Sequence, residues 1–122
     1  MDTSSIEQER RKQARLEKLG TNNPICGTCG NTEWRCIELH HIADHGRDPT
    51  IVRICANCHC ILTDGQKDHP NFDPNADAFL DKVGHFLLGM ADMLKLIVEK
   101  LCEFGHGLIE RAKNPPVPGV IS

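Results

Sequence analysis

Two Cys-x-x-Cys pairs, Cys26-Gly27-Thr28-Cys29 and Cys55-Ala56-Asn57-Cys58, stand twenty-five residues apart in this chain. No other feature narrows the folding options as much. Four thiolates converging on one tetrahedral zinc ion clamp two distant turns together. Seven cysteines in 122 residues is an odd count, and matched pairs suit metal in a reducing compartment better than a secreted disulfide framework. With so small a core, folding of the surrounding module should be inseparable from zinc binding. Cys36, Cys60 and Cys102 have no paired partner and are expected as buried apolar fillers.

Two rival uses of the cysteines fare worse. Cys55-Ala56-Asn57-Cys58-His59 fits the haem attachment pattern, but that chemistry needs export and leaves Cys26 and Cys29 idle. Residues 1–5 lead into a charged segment with no apolar h-region, so the expected location is cytoplasmic. A dithiol redox site lacks the βαβ surroundings it requires.

The rest of the chain divides around this module. Residues 1–20 are expected to hold a basic helix over 4–19, with Ser4–Glu7 or Ser5–Gln8 as a capping box and Gly20 at the terminus. Its body, Glu9 to Lys18, carries five basic side chains against two acidic ones. Arg10, Arg11, Lys12 and Arg15 read as a phosphate-contacting arm, joined in the module by Arg47 and Arg53. The bland alternative is a solvated helix. A net charge of -3 gives no global basic field.

Residues 21–70 hold the cysteines and the histidines. After the turn at Asn22-Asn23-Pro24 comes a zinc knuckle, then an alternating strand from Trp34 to His40 and a second strand, Ile51 to Ile54. A polar loop, Ile42 to Thr50, joins them, and Cys55 to Leu62 can form a short helix. Strand, loop, strand and helix make a ββα unit clamped by zinc.

Residues 71–113 start a new helix, with Asp73 as N-cap and Pro74 at the first helical position. Leu80, Val83, Leu87, Met90, Leu94, Ile97, Leu101, Phe104 and Leu108 recur at spacings of three and four, a helix-pairing signal. Phe79, Phe86, Met93 and Leu96 widen the stripe, which implies burial on more than one side. Self-association or a helical partner through residues 76–110 is expected, with packing onto the module as the alternative. Charges interrupt the apolar run too often for a transmembrane span, which needs about 18–20 residues. Residues 114–122, with three prolines, read as a disordered tail.

Zinc at the sulfurs leaves His40, His41 and His59 without a structural task. His40 and His41 close the first strand and point to opposite sides. His59 follows a zinc ligand and is held against that strand. One of the strand pair can bind an ion together with His59 while the other faces a water, a division suited to phosphodiester hydrolysis. A neutral imidazole serves as base at its ordinary pKa. His45, His69, His85 and His106 are expected as exposed or packing residues.

Glu38-Leu39-His40-His41-Ile42, followed by Ile51-Val52-Arg53-Ile54-Cys55-Ala56-Asn57-Cys58-His59 and Ile61-Leu62-Thr63-Asp64-Gly65-Gln66, resembles the zinc-clamped HNH endonuclease motif. The resemblance covers residues 26 to about 69. It implies a zinc-bound ββα-metal module and says nothing of the two long helices; with the N-terminal helix and the long amphipathic one read above, the expected fold class is α+β. It further implies His41 as general base, and His40 and His59 as ligands of Mg²⁺ or another divalent ion. The family's asparagine that orients the base falls here at Thr50 or Asp48, and Thr50 is the candidate for that task. The function so implied is DNA cleavage by a small metal-dependent endonuclease, and the periodic C-terminal helix adds the expectation of a dimer. The alternatives are a catalytically silent zinc-ribbon adaptor, or an effector docking its amphipathic helix on a membrane or partner.

Overall fold

The computed structural model describes residues 3–43 and 49–115. The expected contributions of His45, Arg47 and Asp48, and most of the proposed tail, lie outside the described residues. Within them the chain forms α1 (Thr3–Leu19), a 3-10 turn (Trp34–Cys36), β1 (Ile37–His41), β2 (Ile51–Cys55), α2 (Ala56–Gln66) and α3 (Ala78–Lys113). This is an α+β arrangement of three helices and one two-stranded antiparallel sheet.

Helix α1 is built almost wholly from good helix formers. Ser4 and Ser5, expected as caps, lie inside it because it begins at Thr3. Gly20 ends it at φ +75°, its amide donating to Leu16 O at 2.9 Å, a left-handed stop that a side chain would strain. Only Leu16 and Leu19 of this helix are buried, so two side chains anchor seventeen residues. The guanidinium of Arg53 adds a tie, its Nε donating to Leu19 O at 2.6 Å, where a cation also complements the helix C-terminus.

The first strand is shorter than expected. Glu33 accepts hydrogen bonds from the amide and side chain of Arg35, which turns Trp34–Cys36 into a 3-10 turn and delays β1 to Ile37. Register then sets Ile37 opposite Cys55, His40 opposite Val52 and His41 opposite Ile51, and Ile42 N to Thr50 O (3.2 Å) extends the ladder. Ile37 and Ile54 are completely buried, and around them gather Leu19, the cysteines, Leu62, Met93 and Leu96.

Helix α3 starts later than expected, at Ala78, because Asp77 accepts from Leu80 N at 2.9 Å and so takes the capping role. Asp73 instead accepts from Asn75 N, a side-chain-closed turn. The buried face of α3 is His85, Gly89, Met93 and Leu96, one stripe at spacings of four, four and three that lies on α2 and the exit of β1. The periodic seam faces elsewhere: Leu80, Leu87, Leu94, Leu101, Phe104 and Leu108 are each more than half exposed. Packing onto the module, the alternative reading of the helix, thus uses the widening residues Phe86, Met93 and Leu96 with Met90 of the seam, and leaves most of the seam uncovered. Two ties hold this packing. His69 Nε2 meets Asp92 Oδ2 at 2.7 Å, and the buried His85 ring lies 2.9 Å from both Pro70 O and Asp81 O. No helix among the described residues is long and apolar enough to cross a membrane.

The unpaired cysteines correct an expectation. Cys36, Cys60 and Cys102 are exposed rather than buried. Each belongs to a turn or helix whose buried face is set by larger neighbours, so none is needed as filler.

Candidate metal centre and histidine cluster

The knuckle and the β2–α2 junction bring Cys26, Cys29, Cys55 and Cys58 together, with all four Sγ atoms within 4.8 Å of one another. Sulfurs held at ~2.3 Å around a tetrahedral zinc ion stand about 3.8 Å apart. The Cys29–Cys55 pair, at 3.7 Å, matches that edge and is far beyond a disulfide bond. Cys26, Cys55 and Cys58 are buried. The four side chains therefore fit a zinc ion.

The thiols are not equivalent. Burial pushes Cys26 up, but the Thr28 hydroxyl at 3.2 Å and the amides of Cys55, Thr28 and Cys29 outweigh it and bring the thiol down to about 6. Burial chiefly pushes Cys58 up to about 12, and the neighbouring Cys26 charge adds to the rise. Burial also raises Cys29. Thr28 is thus a working part of the centre that reading the cysteines alone passes over. Its signal was available: a hydroxyl inside a Cys-x-x-Cys turn is placed to donate to a thiolate.

Zinc at this corner would fix Cys58, and with it the first turn of α2. His59 there faces β1, its ring centroid 5.2 Å from that of His40, the planes inclined at 72°. His40 is 3% exposed, whereas His41, its neighbour on the strand, is only partly buried. Alternation along β1 thus separates the two adjacent histidines. The same alternation sets Glu38 on the His40 face, and its carboxylate holds Nδ1 of His59. A carboxylate accepts, so Nδ1 carries the proton and the Nε2 lone pair is free to ligate. Glu38 is the residue that sequence reasoning missed in this cluster. Its signal was the two-residue step to His40.

His41 is positioned from another side. Gln66, at the end of α2, donates from Nε2 to the His41 carbonyl at 3.0 Å, so α2 grips β1 at both ends. Thr50 lies one residue beyond Ile51, the register partner of His41, and its carbonyl accepts from Ile42. The other sequence candidates separate. Arg10 is paired with Glu7 at 3.3 Å, Arg15 donates to Ile37 O, and Arg53 is engaged with the end of α1. Arg11, Lys12 and Arg15 line one cleft with Trp34 and Arg35.

Comparison of the chain with family models, curated proteins and solved structures finds no significant match.

Proposed function

We propose that this protein is a metal-dependent endonuclease of the HNH type that hydrolyses phosphodiester bonds in DNA. The observation that carries the reading is the His40–His59 pair, 5.2 Å apart between centroids, with Glu38 fixing the tautomer of His59. A zinc ribbon that only binds has no need of two such rings beside a carboxylate. His40 and His59 would hold a divalent ion, which when bound supplies positive charge to the scissile phosphate and the departing oxygen. His41, on the other side of β1, takes the proton from the water that attacks phosphorus. Thr50 is the candidate to orient that imidazole in place of the family's asparagine. The zinc centre contributes no chemistry. It holds α2 against the strand.

The reading extends to a pair of subunits, since two copies place two nicks on opposite strands. The exposed seam of α3 supports it, because Leu80, Leu87, Leu94, Leu101, Phe104 and Leu108 are each more than half exposed along one helix. Single apolar side chains at a surface are ordinary, but a row of six on one helix marks an interaction face. Charges of both signs along α3 favour a protein partner over an anionic membrane.

A plasmid-nicking assay with Mg²⁺ or Mn²⁺ tests the activity. Wild type should convert supercoiled plasmid to open circles, and His41→Ala should lower the rate at least a hundredfold. Equal nicking by both would indicate contamination. No nicking by either would leave the silent zinc-ribbon adaptor as the better reading.

A further inference from the structure

Outside the histidine cluster, a cleft of about 660 Å³ lies between α1 and the 3-10 turn. Its walls are Gln8, Glu9, Arg11, Lys12 and Arg15 from the helix, and Trp34 and Arg35 from the turn. Four cations and one indole therefore face a common space in a chain whose net charge is -3. The acidic residues nearby are already engaged: Glu9 accepts from Gln13, and Glu33 holds Arg35 through two hydrogen bonds of 2.7 and 3.1 Å. The Arg15 Nη2 donates to Ile37 O, but its Nε is buried with no acceptor. A buried guanidinium N–H without a partner costs stability, which leaves Arg15 as a cation at the cleft wall not neutralised by any acidic partner among the described residues. A second cleft, lined by Asn22, Asn23 and Thr32, shares Lys12 and Trp34 with the first, so the indole borders both hollows.

The geometry points to a binding site for a single nucleic-acid strand, with Arg11, Lys12 and Arg15 on phosphate oxygens and Trp34 stacked on an unpaired base. Cations alone would accept any polyanion. The indole among them selects a ligand that alternates phosphate with a flat ring, and a ring is free to stack only where it has left a duplex. The site also has a direction. Trp34–Cys36 runs straight into β1, which carries His40 and His41 at its far end, about 15 Å on at ~3.3 Å per residue. A strand gripped at the cleft would lie within a few nucleotides of the histidines. The proposal rests on the nucleic-acid reading above for its polymer, and adds a contact surface separate from the cutting residues.

Trp34 is the chain's single tryptophan and there is no tyrosine, so intrinsic emission reports on this cleft alone. Zinc-loaded protein without Mg²⁺ would be titrated with a twelve-residue oligothymidylate, with a blunt duplex of equal length, and with thymidine monophosphate. Saturable quenching by the oligothymidylate is expected, weakening as salt rises. Lys12→Glu with Arg11→Glu should weaken it at least tenfold, while circular dichroism and zinc content stay those of wild type. Trp34→Ala should weaken binding of a labelled strand about tenfold by anisotropy. Unchanged emission at 100-fold molar excess would overturn the proposal, as would equal affinity in the charge-reversed variant. Preference for the duplex, or equal response to the mononucleotide, would overturn the single-strand assignment. Because the readout needs no cleavage, quenching without nicking sinks only the nuclease reading, and nicking without quenching sinks only this one.

Discussion

Gly89 in α3 lies against the carbonyl of Ile42, so close that a Cβ on Gly89 would fall 1.8 Å from that oxygen and 2.7 Å from its carbon. The residue after His41 is thus pressed against the backbone of a helix position nearly fifty residues further on. A bare glycine backbone is what lets the long helix close over the end of β1, with Met93 and Leu96 continuing the contact along α2. Helix α3 is thus a support for the end of β1.

Gly89→Ala should therefore destabilise the protein, although alanine is the better helix former by ~1 kcal/mol. The clash is with backbone, which cannot swing aside, and forced repacking costs about 1–3 kcal/mol or more. Thermal unfolding checks this, with Gly107→Ala as the control: no atom approaches a Cβ there, and its melting temperature should hold or rise. Equal behaviour of the two variants would refute the packing of α3 on β1.

Removal of zinc should unfold the middle of the chain while leaving the isolated helical signal of α3 partly intact. One zinc per chain is expected by elemental analysis, with Cys26→Ser and Cys58→Ser each lowering it below half. Far-UV circular dichroism after chelation gives the second readout. A spectrum unchanged by chelation would mean that the four sulfurs do not organise the fold.

Zinc binding should release protons, with a sign fixed by the thiols. Cys26, lowered to about 6, is already a thiolate at pH 7 and gives none up. Cys58, raised to about 12, and Cys29, also raised, must each lose one. Protons thus compete with zinc, and apparent affinity should fall steeply as the pH is lowered through neutrality, more steeply still below pH 6 where Cys26 protonates too. Calorimetry in buffers of different ionisation enthalpy counts the protons. A count near zero would contradict this assignment of charge.

Glu38→Ala should free the His59 ring without unfolding the module, since the pair is partly exposed. Loss of such an orienting carboxylate typically weakens metal binding or activity by 10- to 100-fold. The prediction is a rise of that size in the Mn²⁺ concentration needed for half-maximal nicking, with the melting temperature within a few degrees of wild type. An unaltered metal requirement would remove Glu38 from the site.

Leu94→Glu with Leu101→Glu should convert a dimer to a monomer in light scattering at micromolar concentration. Both side chains are exposed, so the melting behaviour of the zinc module should not change. A wild-type monomer under those conditions would dispose of self-pairing and leave the seam to another partner.

Reading the residues in order recovers much of this molecule. The spacing of the cysteine pairs specifies which four sulfurs meet, because short Cys-x-x-Cys turns and one metal leave little freedom. Period-two alternation places β1 and β2 within a few residues, and it separates His40 from His41. It misplaces the start of β1, since the Glu33–Arg35 clasp is a side-chain choice that outbids strand propensity at Trp34. It likewise puts the start of α3 at Asp73 when a second aspartate, Asp77, competes for the same role.

What the sequence determined by itself was local: the four cysteines that cluster, the helix-forming stretches, the strand pair and the presence of a wide apolar stripe on the last helix. Only the tertiary structure decided which part of that stripe is covered, that Glu38 reaches His59, that Arg53 secures α1, and that Trp34 closes a basic cleft. Periodicity reports that a helix has an apolar face, but not which neighbour covers it. That depends on contacts between residues far apart in the chain, such as Gly89 and Ile42, where one missing Cβ sets how near two backbones come.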